Sequence, residues 1–301
     1  MKAISVFAYN VPDIIREVAK KGTESDITLY NRKDGDNVLT FLVPSRFPEK
    51  MSSLTDSMFP ADVVILGIDE INRDLGEVII SLDLMKKQHG YIMLKDESKL
   101  PTVRKLIDNT VASKYKFFKG SPVELMSDIS GSPMKRPDGD TVVIVDHFFK
   151  VKSVGTVALG FVMSGTVSKH QNLFASGLEK QVQVRSIQMQ DVDVDDAPTG
   201  SRVGLGLKNI EVDDMERGLL LTSTKLPALT RISGNISFHR SVANKNISGN
   251  EIFLCDQMRY SRGFRSGDEI TLDRPFFPLG TELAVCSNTS VPRILGTIKT
   301  Q

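Results

Sequence analysis

Three side chains that could bind an anionic or carbonyl-bearing group stand in one strand-like region of the sequence. Asp146 and His147 are adjacent, and Arg202 follows a glycine turn in a later segment. If they converge on a shallow pocket, the arginine and the histidine could donate hydrogen bonds to such a group while the aspartate orients the imidazole. Spacing alone favours a simpler alternative, in which Asp146 and His147 cap a strand and Arg202 is a solvated turn residue.

A second run, near the C-terminal end, interleaves cations with aromatic rings. It consists of Arg259, Tyr260, Arg262, Phe264 and Arg265. Arginines that contact phosphates and rings that stack on bases are what single-stranded or backbone-directed RNA binding uses. The run therefore indicates an RNA-binding surface, although a hairpin loop with ordinary surface arginines explains it about as well.

The segments that must position the first cluster are short strands. Between residues 142 and 221, alternating apolar and polar residues are separated by turns at Gly160, Gly165, Gly200 and Gly218. This two-residue period predicts a small antiparallel barrel. Similar runs between Gly, Asn and Pro turns from residue 224 onward predict a second one. The acidic run 191–196 is expected to be a solvated loop and not a metal site, and its alternating valines make it part of a strand edge.

The first 139 residues alternate strands with helices. The predicted strands cover 2–8, 26–31, 37–43, 62–68, 91–95 and 114–120. The predicted helices run from Pro12 to Gly22, over 48–58, from Arg73 to Gly90 and over 99–112, followed by a last short helix. This order predicts a mostly parallel sheet covered on both faces, as in a Ras-like nucleotide-binding domain.

Length and composition set outer limits on the protein. A chain of 301 residues is too long for one ordinary core and predicts two or three domains. No apolar run approaches the length of a membrane span, and the first residues lack a signal-peptide pattern, so we expect a cytoplasmic protein. Cys255 and Cys286 belong to no metal-binding motif and are expected to be reduced, buried thiols.

Three sequence blocks in the middle region resemble the second domain of the elongation factor Tu group of translational GTPases. They are VGTVALGFVMSGTV (154–167), VRSIQ (184–188) and GSRVGLGLKNI (200–210), the last followed by DMERG (214–218). The resemblance implies a Ras-like domain over 1–139, a β-barrel over 140–223 and a second β-barrel over 224–301. The expected fold class is therefore α/β plus all-β.

The resemblance also gives the first cluster a role. It places Asp146, His147, Phe149 and Lys152 on the strand that borders the pocket for the aminoacyl end of tRNA, with Arg202 on the opposite wall. An Asp-His pair with a later arginine is similar to the archaeal selenocysteine-specific, SelB-like branch. Adjacent strand residues face opposite sides, so at most one of Phe148 and Phe149 is core. If Phe149 is exposed, its ring could stack on the terminal base.

The nucleotide-binding loops of that family have no counterpart here. A phosphate loop needs glycines whose N–H groups close on the phosphates, a lysine, and a hydroxyl that holds Mg²⁺. Residues 8–15 read AYNVPDII instead. The Asp-x-x-Gly position reads LVPSRFP (42–48), and of Asn-Lys-x-Asp only Lys95 and Asp96 remain. Phosphoryl transfer depends on positioned charge and metal, so we expect a pseudo-GTPase without GTP or Mg²⁺ as a cofactor.

These observations leave two main hypotheses open. In the first, the chain resembles a translation factor that binds tRNA or another RNA through its β domains without GTP control. In the second, it is an interaction protein that occupies a factor site on the ribosome or binds another translation factor. A GTPase with a replaced phosphate loop is a weaker third possibility. We expect no catalytic residue, no metal ligand and no membrane contact.

Overall fold

The computed structural model of the chain describes residues 2–35, 37–132, 136–243, 247 and 249–300. The first part is an α/β unit. Its strands are β1 (Lys2–Tyr9), β2 (Lys20–Glu24), β3 (Thr28–Asp34), β4 (Asn37–Val43), β5 (Val63–Ile68), β6 (Gly90–Leu94) and β7 (Lys116–Phe117). Its helices are α1 (Pro12–Val18), α2 (Met51–Met58), α3 (Arg73–Leu84), α4 (Leu100–Ile107) and α5 (Pro122–Gly131).

The seven strands of the α/β unit form one sheet in the order β2-β3-β4-β1-β5-β6-β7. The central strand β1 is parallel to both β4 and β5. Alternate residues of β1 and β5 point to two cores, one built with α1 and α5 and the other with α2, α3 and α4. The expectation of a mostly parallel sheet with helices on both faces is confirmed.

Several helix bounds differ from the sequence-based prediction. Helix α2 begins at Met51 and not at 48, and α4 ends at Ile107 and not at 112. Helix α1 stops at Val18, not at Gly22, because Lys20 and Lys21 pair with β3 and form the unpredicted strand β2. Helix α3 stops at Leu84 rather than Gly90, and Lys86, two residues later, has a left-handed φ of 55°.

The middle part is a closed barrel. Its strands are β8 (Val142–Val151), β9 (Gly155–Ser164), β10 (Thr166–Ser168), β11 (Asn172–Ala175), β12 (Gln181–Met189), β13 (Val192–Val194), β14 (Asp196–Pro198), β15 (Arg202–Lys208) and β16 (Leu220–Thr222). The antiparallel ladder β11-β16-β8-β9-β15-β12 closes because β11 also pairs with β12. Its alternating apolar residues fill the interior. The predicted antiparallel barrel is confirmed.

The last part is a curved antiparallel sheet, here called the half-barrel. Its strands are β17 (Leu229–Ser233), β18 (Ser237–Phe238), β19 (Glu251–Asp256), β20 (Arg259–Ser266), β21 (Glu269–Phe276), β22 (Glu282–Cys286) and β23 (Ile294–Lys299), in the order β17-β21-β20-β19-β22-β23-β18. Cys255 and Cys286 are buried, with Cα atoms 6.6 Å apart, and are joined as a disulfide. The expectation of reduced thiols was wrong. None of the helices in the described residues has the length and apolarity needed to cross a bilayer.

Candidate functional site

Asp146 and His147 lie at an irregularity in the ladder between β8 and β9. Val145 pairs with Gly160 and His147 pairs with Leu159, so Asp146 is the extra residue of a β-bulge. In a regular strand, the two side chains would face opposite sides of the sheet. The bulge brings them together instead, and Nδ1 of His147 lies 3.0 Å from Oδ2 of Asp146.

Arg202 completes this cluster from the far side of β9. It is the first residue of β15 and pairs in register with Phe161 of β9, two strands away from Asp146. Its Nη2 donates to Oδ2 of Asp146 at 2.8 Å, and its guanidinium lies 5.6 Å from the centre of the Phe161 ring. The structure therefore brings together Asp146, His147 and Arg202, which we call the pocket cluster.

The electrostatics of the pocket cluster favour an ionised carboxylate. The Asp146 side chain is only 2% exposed. Burial alone would raise its pKa, but Arg202 and His147 lower it to about 2. Oδ1 of Asp146 and Nε of Arg202 are buried and have no hydrogen-bond partner among the described residues. Because buried polar atoms are normally paired, these two atoms are exceptions that mark the pocket cluster as a candidate site.

The other two pocket candidates lie further along β8. Phe149 is 43% exposed, whereas Phe148 packs partly against the barrel core. The aromatic residue available for stacking is thus Phe149. Lys152 is exposed in the turn that leads from β8 to β9. Neither residue contacts the pocket cluster directly in the described hydrogen bonds and ion pairs.

The arginine-rich run lies on strand β20, so the alternative of a hairpin loop is wrong. Nη2 of Arg259 pairs with Glu216 of the barrel at 2.7 Å. The Tyr260 ring stacks on Phe253 with centroids 4.6 Å apart, and its hydroxyl donates to Asn288. Burial raises the pKa of Tyr260 above its ordinary value. Arg259 and Tyr260 are therefore already engaged inside the protein.

The remaining residues of this run face solvent to different degrees. Arg262 pairs with Glu251 at 2.6 Å and lies over the ring of Phe264, which is 37% exposed. Arg265 donates to the carbonyl oxygen of Gly267. Because side chains alternate along a strand, Arg262 lies on the opposite face of β20 from Arg259 and Arg265. The three arginines do not form one continuous patch.

The edge of the α/β sheet where a phosphate loop would stand is compact. Strand β1 ends at Tyr9 and helix α1 begins at Pro12, so only Asn10 and Val11 connect them. Asn10 has a φ of 55°. A Cβ at Gly67 of β5 would collide with the carbonyl oxygen of Asn10. The connection therefore lies directly against the neighbouring strand.

The polar residues at this edge are mostly acidic or satisfied locally. Asp13, Asp69 and Glu70 line two small cavities of about 290 and 140 Å³. Nζ of Lys95 pairs with Oδ2 of Asp69 at 2.5 Å. Oδ1 of Asp96 accepts from the backbone N–H of Ser98 at 3.0 Å. Lys95 and Asp96, which remain at the Asn-Lys-x-Asp position, thus bind a neighbouring carboxylate and the local backbone.

One residue with a clear structural role was not identified from the sequence. Arg217, which follows the barrel strand β15, donates to both carboxylate oxygens of Asp26 in the α/β unit, at 2.7 and 3.0 Å. It lies in the DMERG block, where an arginine precedes Gly218. That block was a signal, but the partner lies 191 residues earlier, so no local pattern joins the two.

Comparisons with known proteins agree with this architecture. Residues 155–222 match the family described as elongation factor Tu domain 2. The chain is 34% identical over 231 residues to the uncharacterized protein MJ0325 of Methanocaldococcus jannaschii, covering 76% of this chain and 75% of that protein. It is 32% identical over 183 residues to the selenocysteine-specific elongation factor of the same organism, covering 59% of this chain and only 36% of that factor.

Solved structures show the same fold. Translation elongation factor SelB from Methanococcus maripaludis, in complex with the GTP analogue GppNHp, matches with a TM-score of 0.80 and 16% identity over 100% of this chain and 79% of that chain. A bacterial selenocysteine-specific elongation factor matches with a TM-score of 0.73 and 17% identity over 100% of this chain and 58% of that chain. The chain belongs to the elongation factor Tu-type family of translational GTPases, close to its SelB members.

Proposed function

We propose that the chain binds the aminoacylated end of a tRNA in the barrel, without control by GTP. The observation that carries this proposal is the pocket cluster, with its ionised, buried carboxylate and two buried polar atoms that lack partners. The ionised carboxylate of Asp146 supplies a negative charge that can attract an ammonium group. Arg202 and the partly exposed His147 can donate to a carbonyl or anionic group.

Other residues fit accessory roles in this proposal. Phe149 offers an exposed ring to a terminal base and Lys152 a cation to the backbone. Arg262, Phe264 and Arg265 remain candidates for RNA contact at the half-barrel. The likeness to selenocysteine-specific elongation factors supports an aminoacyl-tRNA as the class of ligand. We expect such a protein to work in the cytoplasm of an archaeon, as its relatives from Methanocaldococcus suggest.

The proposal includes the loss of most GTP binding and hydrolysis. A triphosphate with Mg²⁺ does not fit the edge of the α/β sheet. The two-residue connection offers no row of N–H groups, and Pro12 has no N–H at all. The carboxylates of Asp13, Asp69 and Glu70 would repel phosphate oxygens. These features support a pseudo-GTPase, and we derive no catalytic step through a nucleotide.

A filter-binding comparison tests the proposal. Charged and uncharged tRNA would be compared at two salt concentrations, with GTP present or absent. We expect preference for charged tRNA, no effect of GTP, and an affinity that falls as a power of salt concentration. Arg202→Ala should abolish the preference. Arg185→Ala, which changes an exposed arginine of the same barrel, is the matched control.

Two results would contradict the proposal. If neither charged tRNA nor bulk RNA binds at low salt, the RNA-binding part is wrong. If calorimetric titration with GTP and Mg²⁺ gives a heat of binding, the nucleotide part is wrong.

A second candidate, a scaffold that binds the ribosome or another translation factor, has one observation in its favour. Several arginines of the half-barrel are already paired with carboxylates, as Arg259 and Arg274 are with Glu216. Fewer cations are then left for RNA. Co-sedimentation with ribosomes by a chain that shows no affinity for free tRNA would support this candidate.

A further inference from the structure

The strand that carries the pocket cluster is held by a short segment of the barrel, residues 217–219. The backbone N–H of Gly218 donates to the carbonyl oxygen of Val145 at 2.9 Å. The backbone N–H of Val145 donates in turn to the carbonyl oxygen of Leu219 at 2.9 Å. Val145 immediately precedes the bulged residue Asp146. This segment therefore helps to hold the strand at the residue next to the bulge, together with β9 and β16.

The same segment is anchored in the α/β unit through Arg217. Its two Nη atoms bind both oxygens of Asp26, and Nη2 also donates to the hydroxyl of Ser25 at 3.2 Å. The side chains of Arg217 and Asp26 are 23% and 11% exposed. Burial alone would raise the pKa of Asp26, but Arg217 and Lys50 hold it well below its ordinary value. Bidentate, partly desolvated pairs of this kind fix geometry strongly.

An apolar contact reaches the other wall of the pocket. Ile27 and Leu29 of the α/β unit share a core with Ile144 and Phe161 of the barrel. Phe161 is the ring beneath the guanidinium of Arg202. The α/β unit thus supports both the strand of Asp146 and the surface on which Arg202 rests.

The geometry points to Arg217 as a positioning residue, which transmits its anchorage on Asp26 to the bulge that holds Asp146 and His147. In this arrangement the α/β unit keeps the pocket cluster in its binding geometry by direct contact, with no nucleotide involved. The aminoacyl nature of the ligand rests on the proposed function. The positioning itself is a property of the free protein and can be measured there.

The chain offers a matched control at its other junction. Arg293 of the half-barrel binds Glu77 of α3 in the same bidentate way, and Glu77 is fully buried. The other described partners of Arg293 are Pro48 and Phe47, also in the α/β unit. Near this pair, Nε2 of His239 lies 2.9 Å from Asp83 of α3. The imidazole of His239 can therefore be used to monitor the geometry of this junction, and that of His147 to monitor the pocket cluster.

Nuclear magnetic resonance of the imidazoles tests the inference, because the chain has only 4 histidines. Each ¹H–¹³C peak would be assigned from a His→Gln variant. We expect Asp26→Asn and Arg217→Lys to displace the His147 peak and leave His239 in place. Glu77→Gln and Arg293→Lys should do the reverse. Asp26→Asn and Arg217→Lys should also weaken charged-tRNA binding on the order of 10-fold, as loss of a positioning partner does elsewhere.

The results separate this inference from the proposed function. If the His147 peak stays in place in a folded Asp26→Asn or Arg217→Lys protein, the inference is wrong. It is equally wrong if Arg293→Lys displaces His147 as much, because the effect is then general loosening. If circular dichroism shows that both variants are unfolded, Ser25→Ala removes a single partner of Arg217, and a displaced His147 peak is again required. If His147 responds but wild-type protein does not bind charged tRNA, the positioning stands and the proposed function fails.

Discussion

The pocket cluster of the barrel and the open edge of the α/β sheet both place charged side chains beside strand ends, but they use them in opposite ways. In the barrel, one buried carboxylate is held ionised by Arg202 and by its hydrogen bond with His147. At the sheet edge, several carboxylates stand near one another, and Lys95 is already paired with Asp69. Each region has one carboxylate oxygen that is buried without a partner among the described residues, Oδ1 of Asp146 and Oδ1 of Asp69. The regions therefore differ in how a carboxylate is compensated, by a nearly buried arginine in the barrel and by an exposed lysine at the sheet edge.

The largest expected difference between the two regions is the loss of unfolding free energy when one carboxylate is removed from each. Asp146→Ala leaves Arg202 nearly buried without a partner, and we expect a loss of about 3 kcal/mol of unfolding free energy. Asp69→Ala disrupts an ion pair with a largely exposed lysine and should cost much less. Urea denaturation of both variants measures the two values. Equal losses would show that the two regions are not different in kind.

The pH dependence of stability should divide into two ranges. The pKa of Asp146 is lowered by folding to about 2, so its contribution is present above the unfolded pKa and disappears as pH falls through about 2. Burial raises the pKa of Asp56 in α2 to about 7, so its contribution is present below the unfolded pKa and disappears as pH rises towards 7.

The measurement for this prediction is the urea midpoint between pH 2 and pH 8. Asp146→Asn should reduce the change over the acid range by roughly 2 kcal/mol, with Asp26 contributing to what remains, and Asp56→Asn should reduce the change between about pH 4 and 7, to which Asp256 also contributes. A wild-type protein whose midpoint does not change below pH 4 would contradict the first expectation.

Alanine substitution of two barrel glycines tests how much the contact between the barrel and the α/β unit contributes to the free energy of unfolding. Gly200 has a φ of 87°, and a Cβ there would collide with the guanidinium of Arg136, which binds Asp62 and the carbonyl oxygens of Ala3 and Thr199. Gly155 has a φ of 92° with open space around it. We expect Gly200→Ala to cost about 2 kcal/mol and Gly155→Ala about 1 kcal/mol, measured by thermal unfolding.

The smallest expected change is in binding alone. Phe149→Ala removes an exposed ring and should leave the melting temperature unchanged, while charged-tRNA affinity falls by about 1 kcal/mol, roughly fivefold. Phe264→Ala on the half-barrel is the comparison variant, because it removes the other exposed ring that is a candidate for RNA contact. A larger loss for Phe264→Ala would place the main stacking contact on the half-barrel.

The order of strands and helices could be predicted because local periodicity records it. Three features could not. Strand β2 depends on pairing with β3, and its Lys-Lys-Gly stretch resembles a helix end. The contact between the side chains of Asp146 and His147 depends on a β-bulge, whereas the two-residue period of a regular strand predicts that they face opposite sides. The ion pair of Arg217 with Asp26 joins distant segments, so only tertiary structure reveals it.

The arginine-rich run shows a further limit of sequence patterns. Composition correctly indicated a basic C-terminal region, with 10 Lys and Arg against 6 Asp and Glu over residues 224–301. It could not indicate that Arg259 pairs with the barrel or that Arg293 pairs with the α/β unit. Part of the positive charge joins the units together, and that part does not count towards an RNA surface.

The two-residue connection between β1 and α1 also has an evolutionary consequence. A phosphate-binding loop needs about eight residues in which the chain can wrap an anion, whereas Asn10 and Val11 are pressed against β5. Point mutations change side chains but not the length of a connection. A conventional phosphate-binding loop at this place would therefore require an insertion, which no single substitution supplies.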